Sequence, residues 1–354
     1  MKNIFPKLQA IIAAVLFGIS APLAKFLLGN IEPVLLAALL YLGCGFGLLF
    51  LRLIQKFAIK QTAKEANLAL KDLPWLTGAI LAGGVAAPII LMISLNNTPA
   101  ATASLLLNFE GAATTVIAAV AFKEALGKRV WAAVALITCA SIILTWDTNG
   151  AWGFSIGAVG VIAACAFWGM DNNFTRNISA KDPVAIVIVK GIAAGTVSLI
   201  IALFLGNSIP GLKIVLASLI LGFFSYGISI IMFIFAMRSL GAARTSAFFG
   251  SAPFIGTIIS LLLFRERPEV NLILSLPVMI VGTVFILWED HVHVHKHERL
   301  EHAHRHTHDD NHHIHEHAHE YDGEKNKEHT HWHIHEELEH EHPHTPDIHH
   351  RHLH

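Results

Sequence analysis

The sequence predicts an all-α integral membrane protein: ten transmembrane helices as two inverted five-helix repeats, followed by a disordered histidine-rich tail. Three observations carry that expectation. The chain has 354 residues, 54% of them hydrophobic and only 14% charged. Its apolar residues gather within 1–290 in runs of about 20, the length an α-helix needs to cross about 30 Å of hydrocarbon. Lysine and arginine crowd alternate loops, and all 24 histidines lie between His291 and His354, after a body that contains none.

The first run, LQAIIAAVLFGISAPLAKFLL, follows Lys2 and Lys7 and so has the basic flank of a signal peptide. It is longer than a typical signal core and returns later as part of a repeat, so it reads as a retained first span. Hydropathy, glycine and proline breaks, and charged flanks place the spans near 8–28, 33–52, 75–95, 99–121, 130–146, 154–175, 184–205, 212–236, 244–264 and 270–288. With the N-terminus inside, the cytoplasmic side before the tail receives Lys2, Lys7, Arg52, Lys56, Lys60, Lys64, Lys71, Lys123, Lys128, Arg129, Arg176, Lys181, Arg238 and Arg244. The outer side keeps Lys25, Lys213, Arg265 and Arg267. This is the positive-inside bias, and an even number of spans puts both termini in the cytoplasm of a multi-pass cell (inner) membrane protein. Cys44, Cys139 and Cys165 are isolated in apolar segments without CxxC spacing and read as buried small hydrophobes.

The two halves of the body align. FGISAPLAKFLLGNIEPV in span 1 matches WGMDNNFTRNISAKDPV in span 6, pairing Gly18 with Gly169, Lys25 with Arg176 and, after a one-residue gap, Glu32-Pro33 with Asp182-Pro183. AATAS through AFKEAL matches AARTS through LFRERP, pairing Ala101 with Ala243, Ser104 with Ser246 and Glu124 with Glu266. A five-span repeat is odd, so the second copy is inverted, with the binding site expected near mid-membrane between the halves. The expected divisions are 1–148, 149–290 and the tail, 291–354.

With SLLLNFEGAATTVIAAVAFKEALGKRVW and TSAFFGSAPFIGTIISLLLFRERP at equivalent places, residues 1 to about 288 resemble the EamA domain of the drug/metabolite transporter superfamily. Glu110 and Glu124 match the two acidic positions of the first copy. In the second copy Ala252-Pro253 keeps the proline but not the acid, while Glu266 matches the loop acid. The resemblance implies a secondary transporter, and the family is associated with export of amino acids, nucleosides and other metabolites, or with drug resistance.

A few polar residues fall where lipid should be. Glu110 sits at the middle of span 4, where a charge costs at least about 2.5 kcal/mol; it reads either as a proton or substrate site or as a hydrogen-bonded packing residue at a helix break beside Gly111. Asp171 and Lys190 lie at similar depth on neighbouring antiparallel helices and can form an ion pair; a purely structural bridge or a snorkelling lysine is the alternative. Asn172 and Asn173 follow directly, and successive helical residues diverge by about 100°, so the three cannot all face one pocket. Asn108 is expected in an interhelical hydrogen bond. Trp168 falls inside span 6, where it can line a cavity, whereas Trp75, Trp131, Trp152 and Trp288 fall near the interfaces. Gly- and Ala-rich stretches such as GAILAGGVAAP suit close, sliding helix contacts, and Pro22, Pro88, Pro253 and Pro277 interrupt helices.

No Walker A, GxSxG or intramembrane histidine appears, so the body is expected to be neither an ATP-driven pump nor an enzyme, and it needs no cofactor. The lack of imidazole also argues against a bare transition metal ion crossing it. In the tail, His291, His293, His295 and His297, then His302, His304, His306 and His308, then His313, His315, His317 and His319, then His329, His331, His333 and His335 repeat an H-x-H step. An extended chain puts such residues on one face, and neutral imidazole suits divalent Zn, Ni or Co. A solvating or pH-responsive tail is the competing reading.

Three functions therefore stand. The first is a metabolite exporter working by alternating access, with Asp171, Glu110 and Lys190 in proton coupling or substrate contact and a metal-binding regulatory tail. The second is a metal-ion transporter fed by the tail; the third is a membrane-tethered metal store or sensor. The expected partners are the lipid bilayer, a small-molecule substrate and transition metal ions, with no nucleic acid; the oligomeric state is open.

Overall fold

A computed structural model describes residues 4–58, 66–123, 126–146, 154–179, 181–240, 245, 248–287, 294–297, 300–306, 329–335 and 338–341. Helix α1 comprises Ile4–Gly18 and Ser20–Leu27, and α2 is Pro33–Ala58. Helix α3 follows the 3₁₀ turn Leu70–Asp72 as Leu73–Ala79, a π segment Ile80–Ala86, and Ala87–Asn96. Helix α4 is Ala100–Leu106 plus Phe109–Ala121, α5 is Lys128–Thr145, α6 is Ile156–Arg176 and α7 is Pro183–Phe204. Helix α8 runs as Leu212–Gly222, a π segment Phe223–Ile228, and Ser229–Leu240. Helices α9, Ala252–Phe264, and α10, Val270–Leu287, complete the body.

Among the described residues, seven helices are long and apolar enough to cross a bilayer: α1 to α5, α7 and α8. Helices α9 and α10 are apolar but shorter. Helix α6 has 21 residues but places Asp171, Asn172, Asn173 and Arg176 in its last two turns, which lowers its hydropathy. Local chemistry sets the helix starts. Pro33 and Pro183 open α2 and α7, where a missing N–H costs nothing, and the Asp182 carboxylate accepts from the N–H groups of Val184 and Ala185 at 2.9 and 3.1 Å.

The main contacts between the first and last five helices are α1–α8, α2–α7, α2–α8, α3–α6, α3–α7, α4–α6, α4–α9, α1–α9 and α5–α10. Exchanging every helix for the one five places along returns the same set. Glycine makes the closest contacts possible. A Cβ added to Gly222 on α8 would lie 1.9 Å from the Leu40 carbonyl oxygen of α2, and one on Gly43 would lie 2.1 Å from that of Leu219. Cys44 and Cys165 are buried, but Cys139 is exposed on α5, since its place on the helix turns it away from the neighbour α10.

The described residues of the tail form short strands. Val294–His297 (β1) pairs antiparallel with Leu338–Glu341 (β4), and Leu300–His306 (β2) pairs with His329–His335 (β3). Both ladders keep one register, from Val294↔Glu341 to His306↔His329. The two-residue histidine step is also the period of a strand, and the residues between the histidines of β2 and β3 include Ala303, Trp332 and Ile334, so the pattern that avoids a helical core favours a ribbon.

Substituting Gly43 with valine should overpack the α2–α8 contact at a cost of about 1–3 kcal/mol. Thermal unfolding in detergent, followed by the loss of the monodisperse chromatographic peak, should show a lowered midpoint relative to the unaltered chain.

Candidate functional site

The polar centre of the body is built around the π segment of α3. A π turn bonds each N–H one residue further back than an α turn and disturbs the regular ladder. Here the Gly83 carbonyl accepts two side-chain bonds, from the Tyr41 hydroxyl of α2 at 2.6 Å and from Trp168 Nε1 of α6 at 3.0 Å. Tyr41 also stacks on Tyr226, in the π segment of α8, with centroids 5.7 Å apart and planes at 27°. One tyrosine thus joins the two π segments.

Gly83 is also where α6 comes closest. A Cβ there would lie 2.0 Å from Asp171 Oδ2, so the missing side chain is the space the carboxylate occupies. Asp171 is 4% exposed; its Oδ2 accepts from Lys190 Nζ of α7, and its Oδ1 from Thr175 Oγ1 at 3.0 Å. The ion pair expected from equal depth on antiparallel helices is present, and Lys190 turns inward rather than toward the headgroups.

The three consecutive polar residues of α6 diverge as helix geometry requires. Asn172 points to α4, where its Nδ2 donates to Glu110 Oε1 at 2.9 Å and to Thr114 Oγ1 at 3.1 Å. Asn173 donates to the carbonyls of Thr114 and Gly169 at 3.0 and 2.8 Å and locks α6 against α4. Glu110 lies in the first turn after the interruption of α4 at Leu107 and Asn108, one step earlier than a break beside Gly111. It is half-buried, and Asn172 is exposed. Asn108 donates within its own helix to the Leu105 carbonyl and accepts from Thr283 of α10 at 3.4 Å.

Sequence reasoning therefore named Asp171, Lys190, Trp168, Glu110, Asn172 and Asn173, which the fold places on α6, α4 and α7. It missed Tyr41, Thr114, Thr175 and the Gly83 carbonyl. A tyrosine flanked by leucines looks like a lipid-facing residue, and a carbonyl has no sequence signal. Trp75 and Trp131 are exposed, as interface residues should be; Trp152 and Trp288 lie outside the described residues. Nine of the proposed tail ligands, His295, His297, His302, His304, His306, His329, His331, His333 and His335, fall on strands. His291, His293, His308, His313, His315, His317 and His319 lie outside the described residues.

A second polar cluster ties the two halves together at one end. Glu266, just after α9, accepts from the N–H groups of Ala100 and Ala101 at the start of α4, at 3.1 and 3.2 Å. Carboxylate at a helix N-terminus satisfies otherwise unpaired donors and favours the dipole. Lys25 of α1 donates to the carbonyls of Leu95, Asn96 and Thr98 at the end of α3. Beneath this end, α1, α4 and α9 nearly touch: a Cβ on Gly256 would lie 2.6 Å from the Gly18 oxygen, and the Ser104 and Ser260 hydroxyls are 3.4 Å apart. A cleft of about 480 Å³ opens beside Lys25, Thr98, Glu266 and Arg267.

The profile of the EamA-like transporter family matches residues 5–146 and 155–288. The chain belongs to that family. An uncharacterized transporter of Methanothermobacter thermautotrophicus is 29% identical over 302 residues, covering 81% of this chain and 88% of the relative. A crystallised protein shares the fold with a TM-score of 0.55 at 19% identity, over 79% of this chain and 96% of the other. Membership makes this a multi-pass membrane transporter with a small-molecule substrate, and leaves the substrate to be inferred from the polar centre.

Removing one member of the central pair should be worse than removing both. Lys190→Met should destabilise the protein by about 3–5 kcal/mol by stranding a buried carboxylate, while Asp171→Asn combined with Lys190→Met should recover a large part. A double-mutant cycle on detergent melting temperatures measures the difference.

Proposed function

We propose that the protein is a secondary exporter of a small polar metabolite, working by alternating access, with the Asp171–Lys190 pair as its coupling element. The observation that carries this reading is the buried pair itself, set where α6 and α7 of the second half meet α3 of the first. Ionisable groups at membrane depth are costly and mark transport pathways. A proton arriving on the Asp171 carboxylate neutralises it and frees the Lys190 ammonium for an anionic group of the substrate; the proton's departure restores the pair and expels that group. Glu110, held by Asn172 on the other side of α6, is the second acidic contact of the pathway. The Glu266 contact with α4 holds one end closed, on the side that the distribution of Lys and Arg assigns to the exterior.

Flux of a candidate substrate in proteoliposomes under an imposed pH gradient tests the reading, after comparison of the metabolites and metals of cells with and without the protein has named candidates. Asp171→Asn should abolish gradient-driven flux, and Glu110→Gln should weaken it. A double variant with unaltered flux would sink the assignment.

The closed end has its own test. Glu266→Gln removes the charge from the α4 contact and should raise labelling of a Ser104→Cys variant by a membrane-impermeant maleimide applied from outside. Unchanged labelling would mean that the contact does not govern access.

The tail supports a second component, a cytoplasmic metal-binding module that regulates the transporter. Direct delivery of Zn, Ni or Co to the pathway is the rival reading. Ending the chain at Asp290 separates them, because metal flux lost on truncation favours delivery, whereas metabolite flux that merely stops responding to metal favours regulation.

A further inference from the structure

The inverted repeat carries the surroundings of Asp171 onto a second place, between α1 and α8. The match of Gly18 with Gly169 pairs Phe17 with Trp168 and Ser20 with Asp171. The match of Ala101 with Ala243, continued back without a gap, pairs Gly83 with Ser225 and brings the π segment Ile80–Ala86 onto Phe223–Ile228. Where Asp171 meets Gly83, the corresponding residues are two serines.

The contacts of α1 with α8 agree. Ser229 Oγ donates to the Ala13 carbonyl of α1 at 2.8 Å, and Ser225 lies four residues earlier on the same face of α8. On α1, Ala13, Phe17 and Ser20 form one stripe at helical spacing. Phe17 meets the Tyr226 ring edge-on, with centroids 6.1 Å apart, and the Ser20 hydroxyl is hydrogen-bonded to Tyr226. Ser20 is 3% exposed and Ser225 0%. The Ser225 hydroxyl has no hydrogen-bond partner among the described residues, a costly state for a buried polar group unless something binds it. The backbone adds a further oxygen. The Gly83 carbonyl is held by Trp168 and Tyr41, but at the Ser225 carbonyl Phe17 has no N–H to offer, and the repeat pairs Tyr41 with Gly191, which has no side chain.

We propose that the hydroxyls of Ser20, Ser225 and Tyr226, with the Ser225 carbonyl, form a binding site for a monovalent cation, Na⁺. The site goes beyond the proposed function and does not depend on the proton step at Asp171. Its donors are neutral oxygens, which suit hard cations, and carbonyls of interrupted helices hold Na⁺ in transporters built from inverted repeats. No carboxylate belongs to the set to balance a divalent ion. Glu110 of α4 nevertheless acts on Tyr226 electrostatically, and that negative field opposes chloride, the other small ion that hydroxyls bind. A cation here fastens α1 to the π segment of α8, as Asp171 fastens α6 to that of α3.

The full-length protein, in detergent and without substrate, is melted in NaCl, sodium gluconate, KCl and choline chloride at equal ionic strength. Both sodium salts should raise the midpoint alike over choline chloride, as a ligand bound by the folded state does, and KCl should raise it less. Ser225→Ala removes a hydroxyl without a partner, so the chain should fold, and the Na⁺ concentration for half-maximal stabilisation should rise on the order of 10-fold. Ser20→Ala should do the same. Ser218→Ala, which removes a hydroxyl bonded within α8 to the Ile214 carbonyl, should leave the Na⁺ response unchanged. A midpoint that follows chloride, that is equal in Na⁺ and K⁺, or whose Na⁺ response survives both Ser225→Ala and Ser20→Ala would overturn the site.

Discussion

A buried carboxylate and its half-buried ammonium partner, set among mostly apolar helices, fix the terms for the centre of this molecule. Asp171 cannot be left alone there, since an unpaired charge at low dielectric costs several kcal/mol. Lys190 supplies the opposite charge and Thr175 a hydrogen bond. The carboxylate still needs room against α3, and that room exists because position 83 has no side chain. The π segment containing Gly83 leaves a carbonyl whose two partners, Tyr41 and Trp168, come from two further helices. Each requirement follows from the preceding one, back to the charge.

The rest of the body provides a frame in which two halves can meet without fusing. Glycines bring α2 within backbone contact of α7 and α8, and they also receive large side chains there, as Gly47 does the Phe223 ring and Gly195 the Leu42 side chain. Polar ties sit at the ends. Glu266 grips the start of α4 on one face. Arg52 reaches Asp182 at 2.6 Å on the opposite face, and Lys181 lies 3.7 Å from Asp72. Arg52 is well exposed, and ion pairs of that kind contribute at most about 1 kcal/mol. Ties that weak can be remade.

The sequence disclosed the parts of this arrangement that have a period or a price. Apolar runs gave the helices, because length and hydropathy are local properties. Asp171 and Lys190 could be paired in advance because each is out of place by itself and counting from the loop sets its depth. What could not be read depends on contacts between the halves. Tyr41 looks like any tyrosine until Gly83 is beside it, and the interruption of α4 at Leu107 and Asn108 has neither glycine nor proline to announce it. Glu266 was visible as a repeated loop acid, but its role needs the distant Ala100 and Ala101 N–H groups. In the tail, polarity argues for disorder while the two-residue histidine step is also the period of a strand. Only pairing at long range decides between them.

The two π segments, Ile80–Ala86 in α3 and Phe223–Ile228 in α8, occupy corresponding helices of the two halves. The backbone device is present twice, but an aspartate faces it only once: Gly83 meets Asp171, whereas Gly227 faces the apolar Leu48. A two-fold frame in which only one of the two π segments meets a carboxylate is a symmetric lever with an off-centre weight. The symmetry of the backbone therefore does not extend to its electrostatics: equivalent kinks in the two halves meet unlike surroundings.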